Sequence, residues 1–264
     1  MHFHARAAGL TALFALAVVL TWEVAPQNTR NILEDTAYRF DPTAARAFAY
    51  GERHFNAKNR SGYDIERAEY FFNKAADIDP TTQYLYHELA RIAFLKGDFE
   101  TAMVLIDSQI ELMGDAAPNS YYVRGLIRGY RGEYANAAKD YEHFLQFHPA
   151  NWAAINDYAW VLLKADRAQE AVDATLRGLG AFPDNAWLLS TNAAALYEVG
   201  HTKDALSQAR AAVAAAGRVS ENDWLTAYPG NDPQIAKEGV AALRAAARSN
   251  MHTIELALAS STVQ

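Results

Sequence analysis

The sequence predicts an all-α solenoid of stacked helix-turn-helix units, preceded by an N-terminal transmembrane helix. Three observations predict it. Small residues, turn glycines and prolines recur in one common register of 34 to 35 residues. The stretches between them read as paired amphipathic helices joined by short turns. A long uncharged apolar run stands near the N-terminus, over residues 7–22.

Composition fits this class. The chain has 264 residues, of which 51% are apolar and 21% charged. That is ordinary for a folded protein and wrong for a disordered one. The net charge of −7 argues against nucleic acid, because phosphate backbones call for a basic face. With no cysteine, disulfides, thiolate zinc sites and cysteine nucleophiles are excluded.

Residues 1–6 read as a short cytoplasmic tip and 7–25 as a transmembrane anchor. About 19 residues at about 1.5 Å each span roughly 28 Å, just enough for a bilayer core. Arg6 precedes the run, and Glu23, Glu34, Asp35 and Asp41 outweigh Arg30 and Arg39 after it. The positive-inside rule then places the repeats on the extracytoplasmic side of a single-pass membrane protein. A cleaved signal, giving a secreted or periplasmic protein, and a buried cytosolic helix are the rival readings. Glu23-Val24-Ala25 offers no small-x-small cleavage pattern, and Pro26 follows directly. Residues 26–43 read as a stalk or N-terminal cap, with a helix over 31–40 that ends before Asp41-Pro42.

The repeats occupy 44–217. Ala68, Ala102, Ala137, Ala171 and Ala205 are spaced 34, 35, 34 and 34 apart. Ala90, Gly125, Ala159 and Ala193 each lie twelve residues before one of these alanines, and Pro80, Pro149 and Pro183 lie twelve after. Gly97, Gly132 and Gly200 mark the internal turn. Phe72, Ile106 and Tyr141 stand four residues after their alanine; these, with Phe99 and Tyr134, read as packing positions. Small residues at two crossing points let paired helices approach closely. A proline after the second helix stops it, since it has no N–H and clashes with the preceding turn. One pair cannot cover its own apolar face, so neighbours must stack.

This register resembles the tetratricopeptide-repeat (TPR) family, and the apolar run before it is similar to bacterial single-pass membrane-anchored TPR proteins. The resemblance implies a right-handed α-solenoid of five repeats over 44–217. It extends in degenerate form over 218–264, read as a sixth repeat and C-terminal cap. Departures are local. In the first unit, Gly51 and Ala68 are seventeen apart instead of twelve, so five extra residues fall between its helices, around 58–63. The fourth unit has Ala165-Asp166-Arg167 where a turn glycine is expected. Residues 220–228 read as a short helix whose Ser220 and Asp223 can form a capping box. Pro229-Gly230 breaks it, and Asp232-Pro233 starts a last helix over about 233–249.

No catalytic or metal chemistry is written in the sequence. The eight histidines form no HExxH and no i, i+4 pair, and no nucleophile elbow, P-loop or dinucleotide glycine pattern appears. The expectation is a non-enzymatic protein with no cofactor and no metal.

In TPR proteins the first helix of each pair lines the concave face. Carried over residue by residue, the resemblance implies a groove of Phe48, Glu52 and Phe55; Tyr84, His87, Arg91 and Phe94; Tyr122, Leu126 and Tyr130; Asn156, Trp160 and Lys164; and Trp187, Ser190 and Tyr197. The set is aromatic and poor in charge. Arg91, Asn156 and Lys164 supply the residue types of a carboxylate clamp without its clustering. Aromatics and Arg are common interface anchors, which singles out Trp160, Tyr130 and Arg91. The expected function is a scaffold or adaptor presenting this groove to a protein or peptide partner at a membrane. A self-associating structural subunit of a membrane-associated assembly is the alternative.

Overall fold

The computed structural model describes residues 26–261, and all regular structure among them is helical. Helix α1 (Gln27–Phe40) precedes five helix pairs. These are α2 (Ala44–His54) with α3 (Ile65–Ile78), α4 (Leu85–Leu95) with α5 (Phe99–Met113), and α6 (Asn119–Tyr130) with α7 (Tyr134–Phe147). They continue with α8 (Trp152–Lys164) and α9 (Ala168–Ala181), then α10 (Ala186–Glu198) and α11 (Thr202–Arg218). A short α12 (Glu221–Ala227) and a long α13 (Ala236–Ser261) complete the described residues.

Local chemistry explains where these helices begin and end. Thr43, Asp64, Asp98, Asn151 and Asn185 each accept a hydrogen bond from a backbone N–H in the first turn of the helix they open. Such a cap satisfies a donor that has no partner within the helix. Pro80, Pro149 and Pro183 follow directly on the ends of α3, α7 and α9. The turn glycines Gly97, Gly132 and Gly200 have φ of 78°, 79° and 85°. In the fourth unit Asp166 takes the same left-handed conformation, with φ of 60°; Asp tolerates it better than most non-glycine residues. At Ser220 both bonds of the capping box form.

The alanine register is a packing register. Ala68, Ala102, Ala137, Ala171 and Ala205 all have no exposed surface, and Phe72, Ile106 and Tyr141 are buried beside them. At the first crossing, a Cβ added to Gly51 would stand 2.5–2.8 Å from three ring atoms of Phe72. Glycine is what lets α2 lie this close to α3. Phe99 and Tyr134, expected in the core, are only partly buried and border the inner groove instead.

Helix α1 is anchored by charge. Its Glu34 is buried and meets His54 Nε2 at 2.7 Å and Arg53 Nη1 at 2.9 Å. Beside it, Arg67 reaches Asp35 at 2.7 Å. Burial pushes the Glu34 carboxyl up, but the hydrogen bonds and charges of His54 and Arg53 outweigh it and hold the group below its ordinary range.

One expectation is corrected here. The transmembrane helix predicted over 7–25 lies outside the described residues. Among the described residues no helix is long and apolar enough to cross a membrane. Helix α13 has the length, at 26 residues, but carries Lys237, Glu238, Arg244, Arg248 and Glu255 along it. The single-pass, extracytoplasmic placement therefore finds no support, and the membrane as a partner is set aside with it. The last helix also runs further than 249, after a 3₁₀ turn at Pro233–Ile235.

Candidate functional site: the inner groove

The first helices of the first four pairs line an inner groove of about 1370 Å³. Its wall takes Glu52 and Phe55 at the end of α2, then His87, Glu88, Arg91 and Phe94 from α4. Tyr122, Leu126 and Tyr130 follow from α6, and Asn156, Asp157 and Trp160 from α8. The last wall is the 227–231 segment after α12.

That last wall joins the two ends of the array. The Tyr63 hydroxyl donates to the Gly230 carbonyl at 2.9 Å. Ala57 is buried in one apolar cluster with Trp224, Leu225 and Ala236, and Arg60 lies 3.5 Å from Glu221. The Arg91 guanidinium stacks on Phe55, 4.7 Å from the ring centroid, and its Nη2 packs against Gly230. So the insertion between α2 and α3 meets the Tyr-Pro-Gly-Asn-Asp-Pro turn at 228–233, and the groove is bounded on that side by the chain's own C-terminal region. Burial, and next the Asp232 carboxylate, push the Tyr63 phenol up to about 12. It stays protonated and remains a donor.

The charges inside the groove are unevenly paired. Arg91 bonds Glu88 at 2.6 Å, and burial raises the Glu88 carboxyl despite this pairing. His87 is pushed down to about 3 by burial, with Arg91 adding to the effect, so it is neutral at physiological pH; its Nδ1 lies 3.2 Å from Ser120 Oγ. Asp157 accepts from the Tyr122 hydroxyl at 2.8 Å and from Asn156 Nδ2 at 3.3 Å. Among the described residues it has no basic partner. Burial pushes it up to about 6, although Tyr122 and Asn156 pull the other way.

Solved structures share this architecture. MamA superposes with a TM-score of 0.55 at 15% identity, over 66% of this chain and 92% of that one. A second MamA structure, MSR-1, gives 0.55 at 17%, over 66% and 99%. YrrB, described as a TPR protein with an unusual peptide-binding site, gives 0.51 at 20%, over 72% and 97%. The chain has the TPR fold. At these identities the likeness is one of fold. No protein-family model matches the chain, and neither does any curated protein.

The TPR fold divides the implied groove residues. Glu52, His87, Arg91, Phe94, Tyr122, Tyr130, Asn156 and Trp160 lie along the groove, as do Phe55 and Leu126. Phe48, Tyr84, Lys164, Trp187, Ser190 and Tyr197 do not. Phe48 packs on Phe72 with ring centroids 5.3 Å apart, and Tyr84 sits edge-on to His87. Lys164 lies over the Trp160 ring, 5.7 Å from its centroid. Trp187 packs at a tilt against Trp152 and donates to the Tyr228 hydroxyl at 3.0 Å. Tyr197 packs on the apolar cluster around Ala193 and Ile254. Arg91, singled out as a partner anchor, is committed to Glu88, Phe55 and the 230 turn. Tyr130, 67% exposed, Trp160, 40% exposed, and Tyr228, 38% exposed, are the large aromatics that the groove leaves open, Tyr228 being bonded to Trp187. Sequence reasoning missed Glu88, Asp157 and Tyr228 as groove residues. Asp157 follows Asn156 directly, but the family positions pass over it; nothing local signals that Tyr228 and Gly230 return to the first pair.

Proposed function

We propose that this chain is a non-enzymatic protein-interaction scaffold whose concave TPR face holds a segment of a partner protein by aromatic and apolar contacts. The exposure of Tyr130 and Trp160 inside a concave surface carries this reading. Large aromatics left open to water within a groove are the residues from which binding hot spots are built. The groove is larger than the roughly 300–1,000 Å³ of small-molecule pockets, which favours a peptide segment. The peptide-binding site described for YrrB is a parallel on the same fold. Helix-in-groove and extended-peptide modes both suit such a wall.

The test is affinity capture from native extracts with the full chain as bait, beside a Tyr130→Ala/Trp160→Ala variant. Proteins held by the wild type and absent from the variant are expected; an identical set with both would sink the reading. A self-associating subunit predicts concentration-dependent oligomers instead, which light scattering after size exclusion detects.

A further inference from the structure

Asp157 is the unexplained charge in the groove. It stands on α8 one turn before Trp160, so the two side chains share a face of that helix. Its carboxylate receives Tyr122 and Asn156 and, among the described residues, no cation. The other charges lining the groove are accounted for except one. Arg53 turns away to Glu34, Arg91 is held by Glu88, and Glu52 is exposed and, among the described residues, has no ion pair. Among the described residues this leaves two carboxylates along the groove without a cation, Glu52 exposed to water and Asp157 partly buried among aromatic rings. A carboxylate partly withdrawn from water, as Asp157 is, and left without a counterion costs the fold free energy. Groups that are destabilising where they stand gather at binding sites, where a ligand supplies what is missing.

We infer that the groove takes a basic side chain of its partner, a lysine or arginine, with its cationic head on the Asp157 carboxylate and its stem against Tyr122 and Trp160. This rests on the groove being a peptide site and names the chemistry of what it holds. The pairing is complementary in three ways. The head compensates Asp157 through a charge-assisted bond. The methylenes of a lysine or arginine stem cover aromatic surface. The Trp160 ring already draws one cation, Lys164, to its face, and a second from the groove side gains the same attraction.

The experiment is selection of random linear peptides from a display library on the full-length wild type and on Asp157→Asn. Peptides selected by the wild type are expected to concentrate lysine or arginine at one position among apolar neighbours. Asp157→Asn is expected to lose that concentration. Replacing the selected lysine by norleucine should weaken binding to the wild type by about tenfold or more, the value of a hydrogen bond to a charged group; this arm does not depend on the protein variant folding. Selected peptides that are uncharged or acidic, or equal basic enrichment by both proteins, would overturn the inference and leave the groove reading standing. Selection of no peptides, with a concentration-dependent dimer showing the groove filled by a second copy, would overturn both.

Discussion

Tyr63 and Gly230 stand 167 positions apart in sequence, yet the hydroxyl of one donates to the carbonyl of the other at 2.9 Å. The contact ties the first helix pair to the turn before α13. Tyr63→Phe removes the donor and leaves the Gly230 carbonyl short of a partner. The expected cost is about 1 kcal/mol, read from urea unfolding, together with faster hydrogen exchange at the Gly230 and Asn231 amides. Unchanged stability and exchange would mean that the two ends of the array are held by their apolar cluster alone.

Glu34→Ala should be more damaging. It leaves His54 and Arg53 facing a buried hole where a carboxylate stood, and breaking a buried pair from one side costs about 3–5 kcal/mol. The acid limb of the wild type has a definite sign. The Glu34 carboxyl titrates below its ordinary value in the folded protein, so its contribution is complete above the unfolded pKa and is lost as pH falls through the folded one. Thermal unfolding from neutral pH down through pH 4 should show a steeper fall in the wild type than in Glu34→Ala.

Gly51→Val tests the close approach of α2 and α3. Even its Cβ would come within 2.8 Å of three Phe72 ring atoms, and overpacking of this kind costs about 1–3 kcal/mol. A drop in midpoint of chemical unfolding is expected. The same substitution at Gly180, where an added Cβ meets nothing within 4 Å, should be far milder.

Asp157→Asn should stabilise the protein on its own, without a partner. Burial pushes the folded carboxyl up to about 6, from an ordinary value of 3.8. With the folded value raised, the folded state binds the extra proton between these two values, and stability falls as pH rises through that window. A shift of this size corresponds to at most about 3 kcal/mol. The variant should therefore be the more stable protein above pH 6, with the advantage shrinking toward pH 4. Equal stability at all pH values would show that Asp157 is adequately solvated.

The helical pairs were legible because their signals are local. Alanine at the crossings, glycine at left-handed turns and proline behind each second helix act within one unit, so a single repeat carries the information. The last turn of the chain was legible for the same reason, since Ser220 and Asp223 cap each other. What escaped is long-range. The insertion at 58–63 and the turn at 228–233 read separately as departures from the repeat, and only the curvature of the whole array brings Tyr63 to Gly230. Arg91 looked free to bind a partner because its contacts, Phe55 and Gly230, come from other units. Trp187 falls outside the groove lining for a similar reason: it bonds Tyr228 from the C-terminal region and packs against Trp152. Asp157 escaped because family positions mark where a side chain points and say nothing of which charges it will lack.

The groove itself is tested most directly by isothermal titration of a library-selected peptide into the wild type and into Tyr130→Ala/Trp160→Ala. Both side chains are exposed, so the variant should keep its helicity and melting behaviour. Two aromatic anchors removed together predict a loss of affinity of about 100-fold or more. Affinity unchanged in the double variant, with the fold intact, would contradict the concave groove as the binding surface.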